Sequence, residues 1–338
     1  MAIRLNQRWR PRGEGPAPSR RAGGHHDVLV VGPARSGTTW VGEVLGEAVG
    51  GRYVIEPDNV VEVPFAGRAR AGLGSWAVLA AGVEAPSDYE RLWDVALGAR
   101  RKSARNALAR RLYASVPEPD KVESLDPQRP SLAVRHRLAL RLAQPGCVRG
   151  SGPRVVKSID AVFALDWLLA RYDLRVVLVR RHPLDVLASQ WELFSEIEPC
   201  RYPNDRAVTA RMERWRIPPS PSDDRFAERA WYVGFEMSAY QEAADSNPEI
   251  RVASHEALCA DPLREFRRLV ADVGLEWSPE CEQYLHASNV AGTGYERKRV
   301  AAEEPGKWRT RLSDEQLHVA RQTLRYFPIA RLYDDLTD

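Results

Sequence analysis

The chain has 338 residues, 44% of them hydrophobic, and a formal net charge of +3. That length suits one large domain or two small ones, and the composition is that of an ordinary globular protein. A balance of 49 basic against 46 acidic residues argues against a general nucleic-acid binder, which carries a marked basic excess.

Residues 1–26 hold six arginines against the single acid Glu14 and show no hydrophobic periodicity. They read as a disordered basic tail, with His25 and His26 belonging to it. The tail is either a solvated end or an arm for an anionic partner. Arg20-Arg21 is followed by no apolar stretch of the length an export signal needs. Residues 27–338, read as a single domain, are net acidic at −2 once the tail is set aside.

Order is expected to begin at Asp27. The apolar β-branched run 28–31, ended by Gly32-Pro33, has the pattern of a buried parallel strand. A helix is predicted over 37–49 and a short strand over 53–55. Residues 64–150 read as mostly helical, with Arg-studded segments over 89–113 and 131–143. The next strand is 154–157, followed by a helix over 161–171, a very apolar strand over 175–180 and a helix over 184–194. Pro199, Pro203, Pro218, Pro219 and Pro221 mark 195–224 as a long loop or lid. A helix over 226–244, a strand over 250–253 and helices near 262–273, 279–287 and 313–325 complete the chain. Strands alternating with helices predict an α/β fold of three layers, a central parallel sheet flanked by helices.

The longest apolar runs, such as 76–83, fall far short of the roughly 20 residues of a transmembrane segment. The four cysteines form no Cys-x-x-Cys pair, so neither a metal site nor a disulfide framework is expected. A reducing, cytoplasmic setting follows as the simple reading.

Between the first strand and first helix lies Gly32-Pro-Ala-Arg35-Ser36-Gly37-Thr38-Thr39-Trp40. Its glycines stand in P-loop register, so backbone N–H groups and a helix N-terminus are expected to cradle a phosphate. Thr38 stands where a nucleoside-triphosphate loop requires Lys, which argues against a kinase or ATPase. Arg35 supplies the cation instead, and Ser36, Thr38 and Thr39 add hydroxyl donors. A second anion motif spans Val177-Leu-Val-Arg180-Arg181-His182-Pro183-Leu-Asp185-Val-Leu-Ala-Ser189. Arg181 at a strand end and Ser189 eight residues on, across a turn, suit convergence on one phosphate. Ligands of open α/β sheets bind at such strand ends.

The first string resembles the 5′-phosphosulfate loop of the sulfotransferases that use 3′-phosphoadenosine 5′-phosphosulfate (PAPS), and the second resembles their 3′-phosphate site. The resemblance implies a P-loop fold, PAPS as co-substrate and a small-molecule or glycan acceptor. It also implies that Arg35, Ser36, Gly37, Thr38 and Thr39 hold the 5′ end, that Trp40 lies near the adenine, and that Arg181 and Ser189 hold the 3′-phosphate. Arg297-Lys298-Arg299 and Gly306-Lys307-Trp308 are similar to the family's late segment, which assigns Arg297 and Lys298 to the 3′-phosphate, although Arg299 replaces a Gly. His182 stands where the family often has Asp, and His255 where it often has Tyr; both read as structural.

Transfer to a hydroxyl requires a base for the acceptor proton and cations for the charge on the transferring and leaving groups. Lys157 ends a strand and resembles the lysine that in cytosolic members precedes Thr and a catalytic His. Here the run is Lys157-Ser158-Ile159, and Ile159 takes no proton. The base must stand elsewhere. Tyr53-Val-Ile-Glu56-Pro57 resembles the aromatic-x-x-Glu-Pro segment of carbohydrate sulfotransferases, which implies Glu56 as base; the plainer reading is a cap or salt-bridge residue. Asp58, Glu62 and Asp160 are the alternative bases. The acceptor is expected to be a hydroxyl of a carbohydrate, glycoconjugate or natural product, bound by insertions 64–150 and 195–224. Rival readings are a nucleoside-triphosphate-dependent kinase and a non-catalytic nucleotide-binding protein of the same fold.

Overall fold

The computed structural model describes residues 26–60, 63–73, 76–98, 152–195, 206–292 and 299–336. Most of the expected tail, the segment 99–151, Glu62, and Arg297 and Lys298 lie outside these residues.

Five parallel strands form one sheet in the order β2-β3-β1-β4-β5. They are β1 (Asp27–Val31), β2 (Tyr53–Ile55), β3 (Val155–Ser158), β4 (Leu174–Arg180) and β5 (Ile250–Ser254). Helix α1 (Thr38–Ala48) links β1 to β2. Helices α2 (Pro64–Ala69) and α3 (Ser87–Ala96) follow β2, and α4 (Leu165–Arg171) links β3 to β4. Between β4 and β5 come α5 (Pro183–Phe194), α6 (Arg206–Trp215) and α7 (Arg225–Ser246). The chain closes with α8 (His255–Ala260), α9 (Pro262–Asp272), α10 (Pro279–Ser288), α11 (Trp308–Arg311) and α12 (Asp314–Leu324).

Alternation along the strands builds two cores, one on each face of the sheet. Val28, Val30, Val155, Val177 and Val179 pack with Val44 and Leu45 of α1, Phe266 of α9 and Cys281 of α10. Leu29, Val31, Val156, Val176 and Leu178 join Trp93 of α3, Leu168 of α4, Leu187 of α5, Phe235 of α7 and Leu324 of α12. A strand covered on both faces needs apolar side chains at odd and even positions alike, which is why 28–31 is continuously apolar. The expected three-layer α/β architecture is the one observed.

The topology also sets where a ligand fits. After β1 the chain moves to β2 and β3 on one side; after β3 it crosses to β4 and β5 on the other. The crevice at the carboxyl end of β1 is thus the switch point of the sheet.

Four expectations differ from the structure. The helix read over 161–171 splits into a 3₁₀ turn, Ala161–Phe163, and α4. Asp160 at its start makes no cap, because its carboxylate is drawn to Arg70. The helix read from 89 onward begins at Ser87 and gives way at Leu97-Gly98, where Gly98 has φ +66°. The stretch read as a lid contains α6, which occupies a proline-free interval between Pro203 and Pro218. His26, read with the tail, docks on Asp173 at 2.6 Å.

Phe266 is fully buried and meets the Trp40 ring edge-on, with centroids 4.8 Å apart. Phe266→Ala should lower the unfolding free energy by about 3–5 kcal/mol, as large aromatic truncations in cores do. Urea unfolding followed by fluorescence measures it.

Candidate active site

The loop between β1 and α1 is shaped by close backbone approaches. Gly32 has φ +149°, and a Cβ there would stand 2.6 Å from the carbonyl oxygen of Val179 in β4. Gly37 is the N-cap of α1 at φ +97°, and its Cβ would stand 2.6 Å from the His255 ring. With glycine at the cap and no acid in the first turn, α1 receives no side-chain acceptor at its N-terminus. Its first N–H groups, together with the helix dipole, are therefore directed at whatever anion enters. Ser36 is fully buried, and its Oγ has no hydrogen-bond partner among the described residues. A buried hydroxyl in that condition suits a ligand oxygen.

The second motif closes against this loop. Arg35 Nε donates to Ser189 Oγ at 3.0 Å, and Arg181 Nη1 donates to the carbonyl of Arg35 at 3.1 Å. Gln190 Nε2 donates to the carbonyl of Ala34 at 3.0 Å. Arg35, Ser36, Gly37, Thr38, Arg181 and Ser189, read from two separate strings, are thus brought to one crevice. Trp40 packs against Phe266 and the edge of His255 and stays half-buried.

Lys157 and Glu56 stand on the other side of β1. Strand pairing sets Lys157 opposite both Val30 of β1 and Ile55 of β2. Its ammonium, almost wholly buried, makes an ion pair with Glu56. Glu56 takes φ +43°, uncommon for a residue with a Cβ, and several bonds hold it there. Its N–H donates to the carbonyl of Lys157 at 2.7 Å, its carbonyl accepts from Asn59 N at 3.1 Å, and its carboxylate accepts from Asn59 Nδ2. An ammonium carries three donors, so Lys157 has hydrogens to spare for a substrate oxygen.

A family model described as the sulfotransferase family matches residues 27–279, about three quarters of the chain. The chain belongs to the sulfotransferase family. Its activity is accordingly sulfuryl transfer. Solved structures similar to this sulfotransferase include the sulfotransferase domain of the Synechococcus PCC 7002 olefin synthase, at 13% identity and TM-score 0.42, covering 94% of this chain and 98% of that one. Another is mouse sulfotransferase SULT7A1 complexed with PAP, at 9% identity and TM-score 0.43, covering 94% and 89%. A third is the sulfotransferase domain from the curacin biosynthetic pathway, at 11% identity and TM-score 0.42, covering 88% and 97%. No curated protein matches.

Electrostatically the sulfotransferase site is crowded with acids. Burial raises the carboxyl of Asp58 to about 7, with the neighbouring Asp160 adding to the rise. Asp160 is likewise raised, by burial first, against the pull of Arg70. Burial pushes Glu236 of α7 well above the usual carboxylate range. His255 is pushed down by burial and by Arg181, so it stays neutral against the phosphate loop. Among the described residues, no group of three or more His, Cys, Asp or Glu is placed to hold a metal ion. No helix there is long and apolar enough to cross a membrane.

Sequence reasoning missed the carboxylates that organise the C-terminal side. Glu304 is buried and meets Arg181 Nη2 at 3.5 Å through its carboxylate and 3.3 Å through its carbonyl. The same carboxylate takes Lys307 at 2.5 Å and lies 3.9 Å from Arg299. Asp185 accepts the N–H groups of Gly306 at 2.8 Å and Trp308 at 3.0 Å, which pins the Gly-Lys-Trp segment onto α5. No spacing in the sequence signals either partnership, since they span more than 100 residues. His182 does prove structural: its Nδ1 accepts the Leu184 N–H, and its Nε2 meets Asp335 at 3.0 Å.

Asp185→Ala would leave two backbone donors, the buried Trp308 N–H and the partly buried Gly306 N–H, without this acceptor. Stability should fall by about 1–3 kcal/mol for such an orphaned group. Chemical denaturation checks this; a loss below about 0.5 kcal/mol, the scale of an ordinary surface change, would mean that water replaces the carboxylate.

Proposed function

We propose that this sulfotransferase moves the sulfuryl group of PAPS to a hydroxyl of a carbohydrate, glycoconjugate or natural product. The observation that carries the reading is the Lys157–Glu56 pair at the strand ends beside the phosphate loop. A cation and a carboxylate in contact there are the two groups that sulfuryl transfer to a hydroxyl requires.

In this reading the 5′-phosphosulfate lies on Arg35, Ser36, Gly37, Thr38 and Thr39, with Trp40 near the adenine. The 3′-phosphate lies on Arg181 and Ser189, with Arg297 and Lys298 covering it. The buried Ser36 hydroxyl and the uncapped N-terminus of α1 support the first assignment. The Arg35–Ser189 and Arg181–Arg35 bonds support the second, because they set both anion sites on one framework.

The acceptor oxygen bonds to sulfur as the bond from sulfur to the 5′-phosphate oxygen breaks. The electron pair leaves on that phosphate, giving adenosine 3′,5′-bisphosphate, and Lys157 stabilises the departing charge. The acceptor proton passes to Glu56. Positioning and electrostatics supply most of the acceleration, as in phosphoryl transfer. The acceptor is expected to lie against segments 64–150 and 195–224. The absence of a histidine at Ile159 favours a sugar or natural-product hydroxyl over a small phenol.

Adenosine 3′,5′-bisphosphate should raise the melting temperature more than ATP or ADP at equal concentration. At a hundredfold excess over Kd the gain is about 2.7 kcal/mol. Equal or greater stabilisation by ATP would return the kinase reading. Glu56→Gln should lower kcat about 10²–10⁴-fold, the usual weight of a general base, while bisphosphate binding persists. Unaltered turnover of labelled PAPS would move the base elsewhere.

A further inference from the structure

Below the Lys157–Glu56 pair lies a buried polar network that the reaction as written does not use. Ser158 is fully buried, and its Oγ stands 2.8 and 2.7 Å from the two carboxyl oxygens of Asp58. The same Oγ accepts the backbone N–H of Asp160 at 3.1 Å. Arg70 Nη1 donates both to the carbonyl of Asp58 at 2.8 Å and to the carboxylate of Asp160 at 2.7 Å. Each of these residues neighbours the reactive pair in sequence or is bonded to one that does: Asp58 stands two positions after Glu56, Ser158 one after Lys157, and Asp160 three after it.

The hydrogen count accommodates a protonated Asp58. A serine hydroxyl has one hydrogen and two lone pairs. One lone pair is taken by the Asp160 N–H, and the hydrogen serves one Asp58 oxygen. The second short contact, between two oxygens, is satisfied when Asp58 carries a proton and donates it to the remaining lone pair. The surroundings agree: Asp58 is buried, and Asp160 of β3's end, Tyr89 of α3 and Tyr240 of α7 face it, with Arg70 as the one guanidinium at hand among the described residues. Glu236 of α7 faces Asp160 behind them and adds no positive charge.

Stability alone gives little reason for such a network. Buried ionic groups seldom stabilise a fold more than apolar residues of the same volume. They do fix geometry, since each bond excludes other arrangements of the two strand ends.

We infer that Asp58 is a positioning residue that works protonated, clamping Ser158 and, with Arg70 and Asp160, holding the strand ends of Glu56 and Lys157 in reacting geometry. This rests on the roles proposed above for Glu56 and Lys157. It reassigns Asp58 from an alternative base to a hydrogen-bond donor. Ionisation of Asp58 breaks the clamp, so turnover falls as pH rises through about 7.

The test compares Asp58→Asn, whose amide reproduces a donor and an acceptor, with Asp58→Ala. Asp58→Asn should exceed Asp58→Ala in kcat by about tenfold or more, the scale of a small misplacement of reacting groups, with similar KM for PAPS. It should also lose the alkaline fall of kcat near pH 7 that the wild type shows. Equal impairment of the two variants, or an alkaline fall that persists in Asp58→Asn, overturns the proposal.

A second measurement is independent of turnover. A carboxyl raised in the folded state contributes stability that is full below its unfolded value, near 4, and lost as pH rises through about 7. The melting temperature of the wild type minus that of Asp58→Asn should therefore fall between those pH values and level above them. A difference independent of pH overturns the proposal even if no acceptor is known. Should neither Asp58 variant fold, Ser158→Ala removes the other half of the clamp. The alkaline fall of kcat should then be lost, and a fall unchanged from the wild type counts against the clamp. Failure of wild-type transfer from PAPS would defeat the proposed function while leaving the melting comparison intact.

Discussion

An ammonium placed on a strand buried on both faces must find a carboxylate, and most of the site follows from that requirement. Lys157 sits in the third position of β3, between β1 and β2, where water does not reach it. Leaving such a charge unpaired costs several kcal/mol. Glu56 supplies the partner only by turning out of β2 at φ +43°, a conformation that backbone bonds to Lys157 and Asn59 then hold. The pair is thus a consequence of burial, and it stands at the strand ends beside the phosphate loop.

The same logic operates across β1. Arg181 is buried; its Nη1 donates to the Arg35 carbonyl and its Nη2 to Glu304, while its Nε has no hydrogen-bond partner among the described residues. Glu304 in turn gathers Arg299 and Lys307, so one carboxylate draws three cations together beside the end of β4. Asp185 performs the matching task for backbone, binding the N–H groups of Gly306 and Trp308. The chain from 27 onward is net acidic, yet it forms a site for a highly anionic donor. Local placement accounts for this: cations are concentrated by single buried carboxylates, and α1 adds an N-terminus with no acid in its first turn. Bulk charge has no bearing on either.

Much of the fold was legible because parallel strands buried on both faces must be apolar throughout. The runs 28–31 and 175–180 announced themselves, and so did the helices that follow them. The phosphate loop was legible for a related reason: Gly32 and Gly37 stand where backbone and a His255 ring leave no room for a Cβ. Less regular elements escaped. Helix α8 is six residues long and offers no full period to read. The turn at Ala161–Phe163 depends on Asp160 being claimed by Arg70, a contact 90 residues away.

Local chemistry determined the strands, the glycine-bounded loop, the two motifs that carry Arg35, Arg181 and Ser189, and the lysine at a strand end. Each of these reads from neighbours within about a dozen positions. Tertiary structure alone decided that Glu56 meets Lys157, that Asp58 is hydrogen-bonded to Ser158, and that Glu304 and Asp185 anchor the C-terminal segment. Those contacts join residues roughly 100 or more apart, and nothing in local propensity links them. Their partners are selected by the sheet order and by the cost of leaving a buried polar group unpaired.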